Sequence, residues 1–174
     1  AHDGQITKSE IRAITLSALA PRAGELLWDV GAGSGSIAVE WCQRHLRNRA
    51  VAFEARADPA ERIACNTLEL GGLAIEVQGA APAGFAGCEA PDAVFIGGGL
   101  TEDGLFEAAW TALKPGGRLV ANVVTIEGEA RLAALHAAHG GSLRRISIDR
   151  LAPVGGKHGW RPAMPVMQWS WVKP

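Results

Sequence analysis

Leu26-Leu27-Trp28-Asp29-Val30-Gly31-Ala32-Gly33-Ser34-Gly35-Ser36-Ile37-Ala38 is the stretch whose reading decides the fold. Leu26, Leu27, Trp28 and Val30 form a short apolar run, read as a buried strand that Asp29 closes. Gly31, Gly33 and Gly35 allow positive φ and keep side chains out of the space between backbone and ligand. Ser36 opens a helix, so free N–H groups and a positive dipole end point into the turn. Such a corner attracts an anionic group and a flat small molecule laid over glycines.

The spacing is Asp-x-Gly-x-Gly-x-Gly. A dinucleotide fingerprint needs Gly-x-Gly-x-x-Gly, and the sixth position from Gly31 is Ser36. No Gly-Lys-Ser/Thr follows, so a phosphate loop is excluded too. An acid just before the first glycine resembles the S-adenosylmethionine turn of class I methyltransferases. There the ligand's anion is a carboxylate, and its ammonium needs an acceptor nearby. The competing reading is a strand–helix turn that binds nothing.

Working outward, Thr7 to Ala20 has helical periodicity, with Ile11, Ile14, Ala18 and Leu19 on one face. Thr7 and Glu10 make a capping box, and Pro21 stops the helix. The helix from Ser36 to about Leu46 turns Ile37, Ala38, Trp41 and Cys42 to the sheet. A second strand, Ala50 to Phe53, ends at Glu54, about twenty residues past the glycines, where an acid reaches ribose hydroxyls. The alternative for Glu54 is a surface glutamate. Asp58-Pro59-x-Glu61 starts another helix, running to Leu70.

Leu73 to Val77 is a third strand, and the small Ala80 and Ala81 after it leave room for an adenine ring at the carboxyl edge of the sheet. Pro91 to Ile96 is a fourth strand entering Gly97-Gly98-Gly99. Those glycines are either a close approach to a ligand or a flexible turn. Thr101 to Leu113 reads as a helix, Arg118 to Val124 as a fifth strand and Glu127 to His139 as a helix. Leu143 to Leu151 and Met164 to Val172 are β-rich, with Gly155 to Pro162 read as the loop between them. The expected fold is α/β: a doubly wound, mostly parallel sheet with a C-terminal antiparallel hairpin, in one domain over residues 1–174.

A net charge of −1 gives no electrostatic footprint for nucleic acid. Cys42, Cys65 and Cys88 are odd in number and widely spaced, which points to buried thiols in a reducing, cytoplasmic compartment. They do not suggest a disulfide frame or a metal site. No apolar run approaches the roughly 18 residues of a membrane span. No signal peptide opens the chain, and it begins without Met, as a trimmed chain or a piece cut from a longer polypeptide would.

Several segments together go further. Asp3-Gly4-Gln5-Ile6-Thr7-Lys8-Ser9-Glu10-Ile11-Arg12, the glycine stretch, Phe95-Ile96-Gly97-Gly98-Gly99, Pro115 to Asn122, and Pro165-Val166-Met167-Gln168-Trp169 resemble one family. It is the cobalamin-pathway precorrin methyltransferases that act at C15 with decarboxylation, and the likeness covers nearly the whole chain. The resemblance implies a class I methyltransferase fold, S-adenosylmethionine as methyl donor and S-adenosylhomocysteine as product. It implies that Gly31, Ala32, Gly33, Ser34 and Gly35 bind the methionine end, with Asp29 and Gly97 beside them. Glu54 would take the ribose, and Ala81 the adenine through its backbone. Relatives often have Asp where this chain has Ala80. Thr7 would lie near the cofactor, and that role competes with its capping role for one hydroxyl.

The implied substrate is a tetrapyrrole rich in acetate and propionate carboxylates. Lys8, Arg12, Lys157, His158 and Arg161 are candidate partners for them, against a solvated surface charge in each case. Trp160 is a candidate to stack on the macrocycle, or else core or subunit contact. The conjugated macrocycle accepts the electron pair of decarboxylation, so no metal is needed. His158, Glu127 and Asp103 are candidate proton donors. The resemblance also implies a homotetramer, and a longer bifunctional chain whose N-terminal domain methylates C5.

Two other readings compete. A methyltransferase for RNA or protein often carries Asn/Asp-Pro-Pro-aromatic after strand four, where this chain has Ile96-Gly97-Gly98-Gly99; another small molecule is also open. A non-catalytic nucleotide-binding module would show a damaged glycine turn or a lost ribose acid, and both are intact here.

Overall fold

The structure is a computed structural model and describes residues 9–59, 61, 63 and 73–174. Thr7, Lys8, Cys65, the Thr7–Glu10 capping box and the end of the helix expected to reach Leu70 lie outside the described residues.

The elements are α1 (Ser9–Leu19), β1 (Leu26–Val30), α2 (Ser36–Arg44), β2 (Arg49–Phe53), β3 (Ile75–Gln78) and β4 (Ala93–Ile96). They continue with α3 (Leu105–Ala112), β5 (Arg118–Val123), α4 (Ile126–His139), β6 (Ser142–Ile146), β7 (Asp149–Val154), β8 (Lys157–Pro162) and β9 (Val166–Val172). The main sheet has seven strands in the order β3-β2-β1-β4-β5-β9-β6. The first five are parallel, and β9 runs antiparallel to both β5 and β6. Strand order reverses between β1 and β4, the switch point where an open α/β sheet leaves a crevice at its carboxyl ends.

Side chains of β1 alternate between two cores. Leu26, Trp28 and Val30 join Phe53, Val94, Ile96 and Leu119 on one face, while Leu27 joins Leu16, Ile37, Trp41 and Val120 on the other. Burial on both faces explains the unbroken apolar runs of the parallel strands. On α1 the buried face is Ile11, Thr15, Leu16 and Leu19, with Ile14 and Ala18 only half-buried.

Two expectations need correction. The segment Lys157–Pro162 is not a loop. It pairs with β7 in a separate two-stranded ribbon turned by Gly155 and Gly156. The sheet therefore ends with β9 inserted between β5 and β6, and the ribbon stands apart from it. Finally, α3 begins at Leu105, because Gly104 takes a left-handed φ of 76° and residues 101–104 form turns.

Candidate active site

Asp29 lies on the face of β1 that carries Leu27 and is wholly buried. Its Oδ2 accepts a hydrogen bond from the Ala38 nitrogen at 3.1 Å. Gly35, the N-cap of α2, has no side chain to offer, so the strand acid caps the helix from behind. Burial raises the Asp29 pKa to about 7; the Ala38 N–H opposes the rise and the nearby Glu54 charge adds to it. Its Oδ1 has no partner among the described residues.

The glycine turn holds its shape through backbone bonds. Gly31 and Ala32 both donate to the Phe53 carbonyl, at 3.0 and 3.2 Å, and Gly35 donates to Ala32 at 2.8 Å. The turn lies against the one after β4: a Cβ at Gly31 would stand 2.7 Å from the Gly98 nitrogen. Only glycine permits both that approach and the φ of +68° at Gly31.

Glu54 completes the corner. Its Oε2 accepts from the Gly33 nitrogen at 2.9 Å, and its Oε1 accepts from the Arg56 nitrogen at 3.0 Å and from Arg56 Nε at 3.3 Å. The carboxylate is largely buried, yet it lines a cleft of about 790 Å³. That volume lies within the range of small-molecule sites, about 300–1,000 Å³. Phe53, which also lines the cleft, meets Phe85 edge-on at 4.8 Å, and Phe85 stacks on Trp28 at 4.6 Å. Gly84 donates to the Ala80 carbonyl at 2.8 Å, and Ala81 and Phe85 pack on the core cluster that holds Trp28 and Phe53.

The cleft brings together Gly31, Ala32, Gly33, Glu54, Ala80, Ala81 and Gly97. It leaves out Asp29, Ser34 and Gly35. Asp29 is sealed behind the turn, and a Cβ at Gly35 would press on Ile63 at 2.8 Å. None of the described substrate or proton-donor candidates lines it. Arg12 pairs through Nε with Glu40 of α2. Lys157, His158, Trp160 and Arg161 lie on the ribbon, whose roots Ile148 and Ala163 alone reach the cleft. Trp160 is 73% exposed, so it is not core. Glu127 lies in the first turn of α4 and Asp103 in the turn before α3, both outside the lining.

Sequence reasoning missed two features. Glu102 lines the cleft from the loop after β4. Thr15, Asn122 and Gln168 form a polar cluster beside it. Asn122 Nδ2 donates to Thr15 Oγ1 at 2.9 Å, while Gln168 Nε2 donates to Thr15 Oγ1 at 3.2 Å and to Asn122 Oδ1 at 3.0 Å. A threonine on the buried face of α1 and a glutamine in an apolar strand were the available signals.

The sheet order, the glycine turn after β1 and the acid after β2 define a class I S-adenosylmethionine-dependent methyltransferase fold. A family model described as the precorrin methyltransferase domain matches residues 1–173, and the chain belongs to that family. It is 59% identical to the precorrin-6Y C(5,15)-methyltransferase [decarboxylating] of Sinorhizobium sp., over 99% of this chain and 42% of that protein. This chain thus spans about two fifths of that relative's length. The crystal structure of the C-terminal domain of precorrin-6Y C5,15-methyltransferase from Rhodobacter capsulatus superposes with a TM-score of 0.92 at 51% identity, covering 99% of this chain and 94% of that one. The cobalt-precorrin-6B C(15)-methyltransferase (decarboxylating) of Salmonella typhimurium is 31% identical, over 92% of this chain and 85% of its own length.

Proposed function

We propose that this domain transfers a methyl group from S-adenosylmethionine to C15 of a precorrin, coupled to decarboxylation of the ring-C acetate at C12, in cobalamin biosynthesis. The observation that carries the reading is the cleft in which Glu54 and Gly33 are hydrogen-bonded beside the backbone contact of Gly31 with Gly98. The residues present suit a sulfonium nucleoside. The side-chain-free glycines would take the methionine end, the held Glu54 carboxylate would take the ribose, and Ala80 and Ala81 would leave space for adenine. The Salmonella relative, named for C15 alone, matches over most of its length, which supports assigning C15 and decarboxylation to this domain.

When bound, the cofactor supplies an electrophilic methyl group. The chain contributes position, which is most of the catalysis for a carbon nucleophile in line with that methyl. Glu54 orients the ribose, and its bond to Gly33 keeps acid and turn in one frame. The apolar wall of Val124, Ile146, Ile148, Met164 and Val166 suits the face of a macrocycle and leaves its acetate poorly solvated. Lys157, His158 and Arg161 are exposed on the ribbon, and in this reading they meet peripheral carboxylates that project beyond the cleft.

In the same reading the chain is one domain, the C-terminal part of a longer cytoplasmic protein whose N-terminal domain methylates C5. It assembles as a homotetramer, for which the ribbon's exposed Leu151, Val154 and Trp160 offer apolar surface. Among the described residues no helix is long and apolar enough to cross a membrane.

The test is incubation of the domain with its precorrin and methyl-¹³C S-adenosylmethionine, with NMR locating the label. Label at C15 with release of CO₂ is expected. Label elsewhere, or on nitrogen or oxygen, rejects the reading.

A further inference from the structure

We propose that Glu102 is the catalytic residue that carries a proton between two carbons of the substrate after methyl transfer. The proposal rests on the reading of the reaction just given.

The chemistry sets the need. Breaking the bond between the acetate methylene and its carboxylate leaves an electron pair on the exocyclic carbon and, by conjugation, on C15. C15 uses that pair to bond the methyl group as the methyl–sulfur bond breaks and its pair stays on sulfur. C15 then carries both its original hydrogen and the new methyl, while ring C carries an exocyclic methylene. Moving the C15 proton to the methylene carbon converts the latter to a ring methyl and restores conjugation. The C15–H pair re-forms the double bond at C15, and the methylene π pair takes the proton. No proton is gained or lost overall, so one group that accepts and then returns a proton is sufficient.

Among the described residues, the charged side chains lining the cleft are Glu54, Arg56 and Glu102, and no His, Cys, Lys or Asp lines it. Glu54 and Arg56 hold one another, with Glu54 also bonded to the turn. No hydrogen bond or ion pair holds the Glu102 carboxylate among the described residues. Its backbone is fixed, since the Glu102 nitrogen donates to the Gly99 carbonyl at 2.9 Å. The carboxylate folds back over that glycine, 3.3 Å from where a Gly99 Cβ would stand. Glu102 therefore sits at the carboxyl end of β4, on the wall that continues Gly97 and Gly98.

The experiment compares wild type, Glu102→Gln and Glu102→Asp in three readouts: cofactor affinity by calorimetry, methyl label and CO₂ release, and product structure by NMR. For Glu102→Gln we expect S-adenosylmethionine affinity within about twofold of wild type. Label and CO₂ should still appear, with the C15 hydrogen and exocyclic methylene retained in the product. Glu102→Asp, which keeps a carboxylate, should restore the rearranged product in part. Rearranged product at the wild-type rate from Glu102→Gln would overturn the proposal. So would a tenfold loss of cofactor affinity, which assigns Glu102 to the cofactor, or a bound variant that transfers no methyl, which assigns it to an earlier step. A wild-type domain that places no label on C15 overturns the reaction itself, and the role of Glu102 with it.

Discussion

The Glu54 carboxylate accepts a hydrogen bond from the Gly33 nitrogen at 2.9 Å, across 21 residues of chain. The acid after β2 is thereby locked to the turn after β1. The corner is preorganised, so little ordering remains for a ligand to pay for.

Gly31→Ala forces a Cβ to within 2.7 Å of the Gly98 nitrogen and holds alanine at a φ of +68°. The left-handed strain alone costs about 1–2 kcal/mol. The clash is with backbone, so the two turns must part. S-adenosylmethionine affinity should fall at least tenfold in calorimetry. Gly24→Ala, at a φ of +85° with nothing within 4 Å of its Cβ, should carry the strain and leave that affinity intact.

Asp29 gives a pH dependence of unusual sign for a carboxylate. With its folded pKa raised from 3.8 to about 7, the folded state holds a proton that the unfolded chain releases. The contribution of Asp29 to stability is therefore full below about pH 4 and is lost as pH rises toward 7, where the buried acid must ionise. Asp29→Asn keeps an acceptor for Ala38 and removes the titration. Urea denaturation should show the variant gaining on wild type by roughly 2–3 kcal/mol between pH 5 and 8. Parallel pH profiles would contradict this.

Arg118 anchors the opposite end of the sheet. It bonds both Glu25 oxygens, at 2.8 and 2.5 Å, and the carbonyls of Leu19, Ala20 and Asp92. Removing one partner of a buried pair costs about 3–5 kcal/mol. Arg118→Ala should lower the melting temperature by roughly 6–20 °C. Cofactor affinity of the folded fraction should hold, since Arg118 is not in the cleft.

Thr15→Val deletes the acceptor shared by Asn122 and Gln168. Leaving buried amides unsatisfied costs about 1–3 kcal/mol. The melting temperature should drop by roughly 2–12 °C. Thr15→Ser, which keeps the hydroxyl, should recover most of it.

The parallel half of the sheet was legible because burial on both faces writes itself as apolar runs, and the turn because its glycines serve positive φ. The ribbon was not. Lys157-His158-Gly159-Trp160-Arg161-Pro162 is almost wholly exposed, so no alternation of apolar and polar residues marks it as a strand. The burial of Asp29 was not legible for another reason: sequence places it beside the turn but does not tell on which side of the sheet its carboxylate points. Glu102 was hidden inside an expected helix that in fact starts three residues later. His158, Glu127 and Asp103 were the expected proton donors, and chain order does not tell that Thr125 and Gly128 on either side of Glu127, and Glu102 next to Asp103, line the cleft while these three do not.

The most direct test of the account is calorimetric titration of S-adenosylmethionine into wild type and Glu54→Gln, with NAD as the competing ligand. Charge-assisted hydrogen bonds contribute about 1.5–3 kcal/mol, so the substitution should weaken S-adenosylmethionine binding roughly ten- to a hundredfold, and NAD should not bind. Equal affinity in the two proteins, or NAD bound as tightly as S-adenosylmethionine, would contradict it.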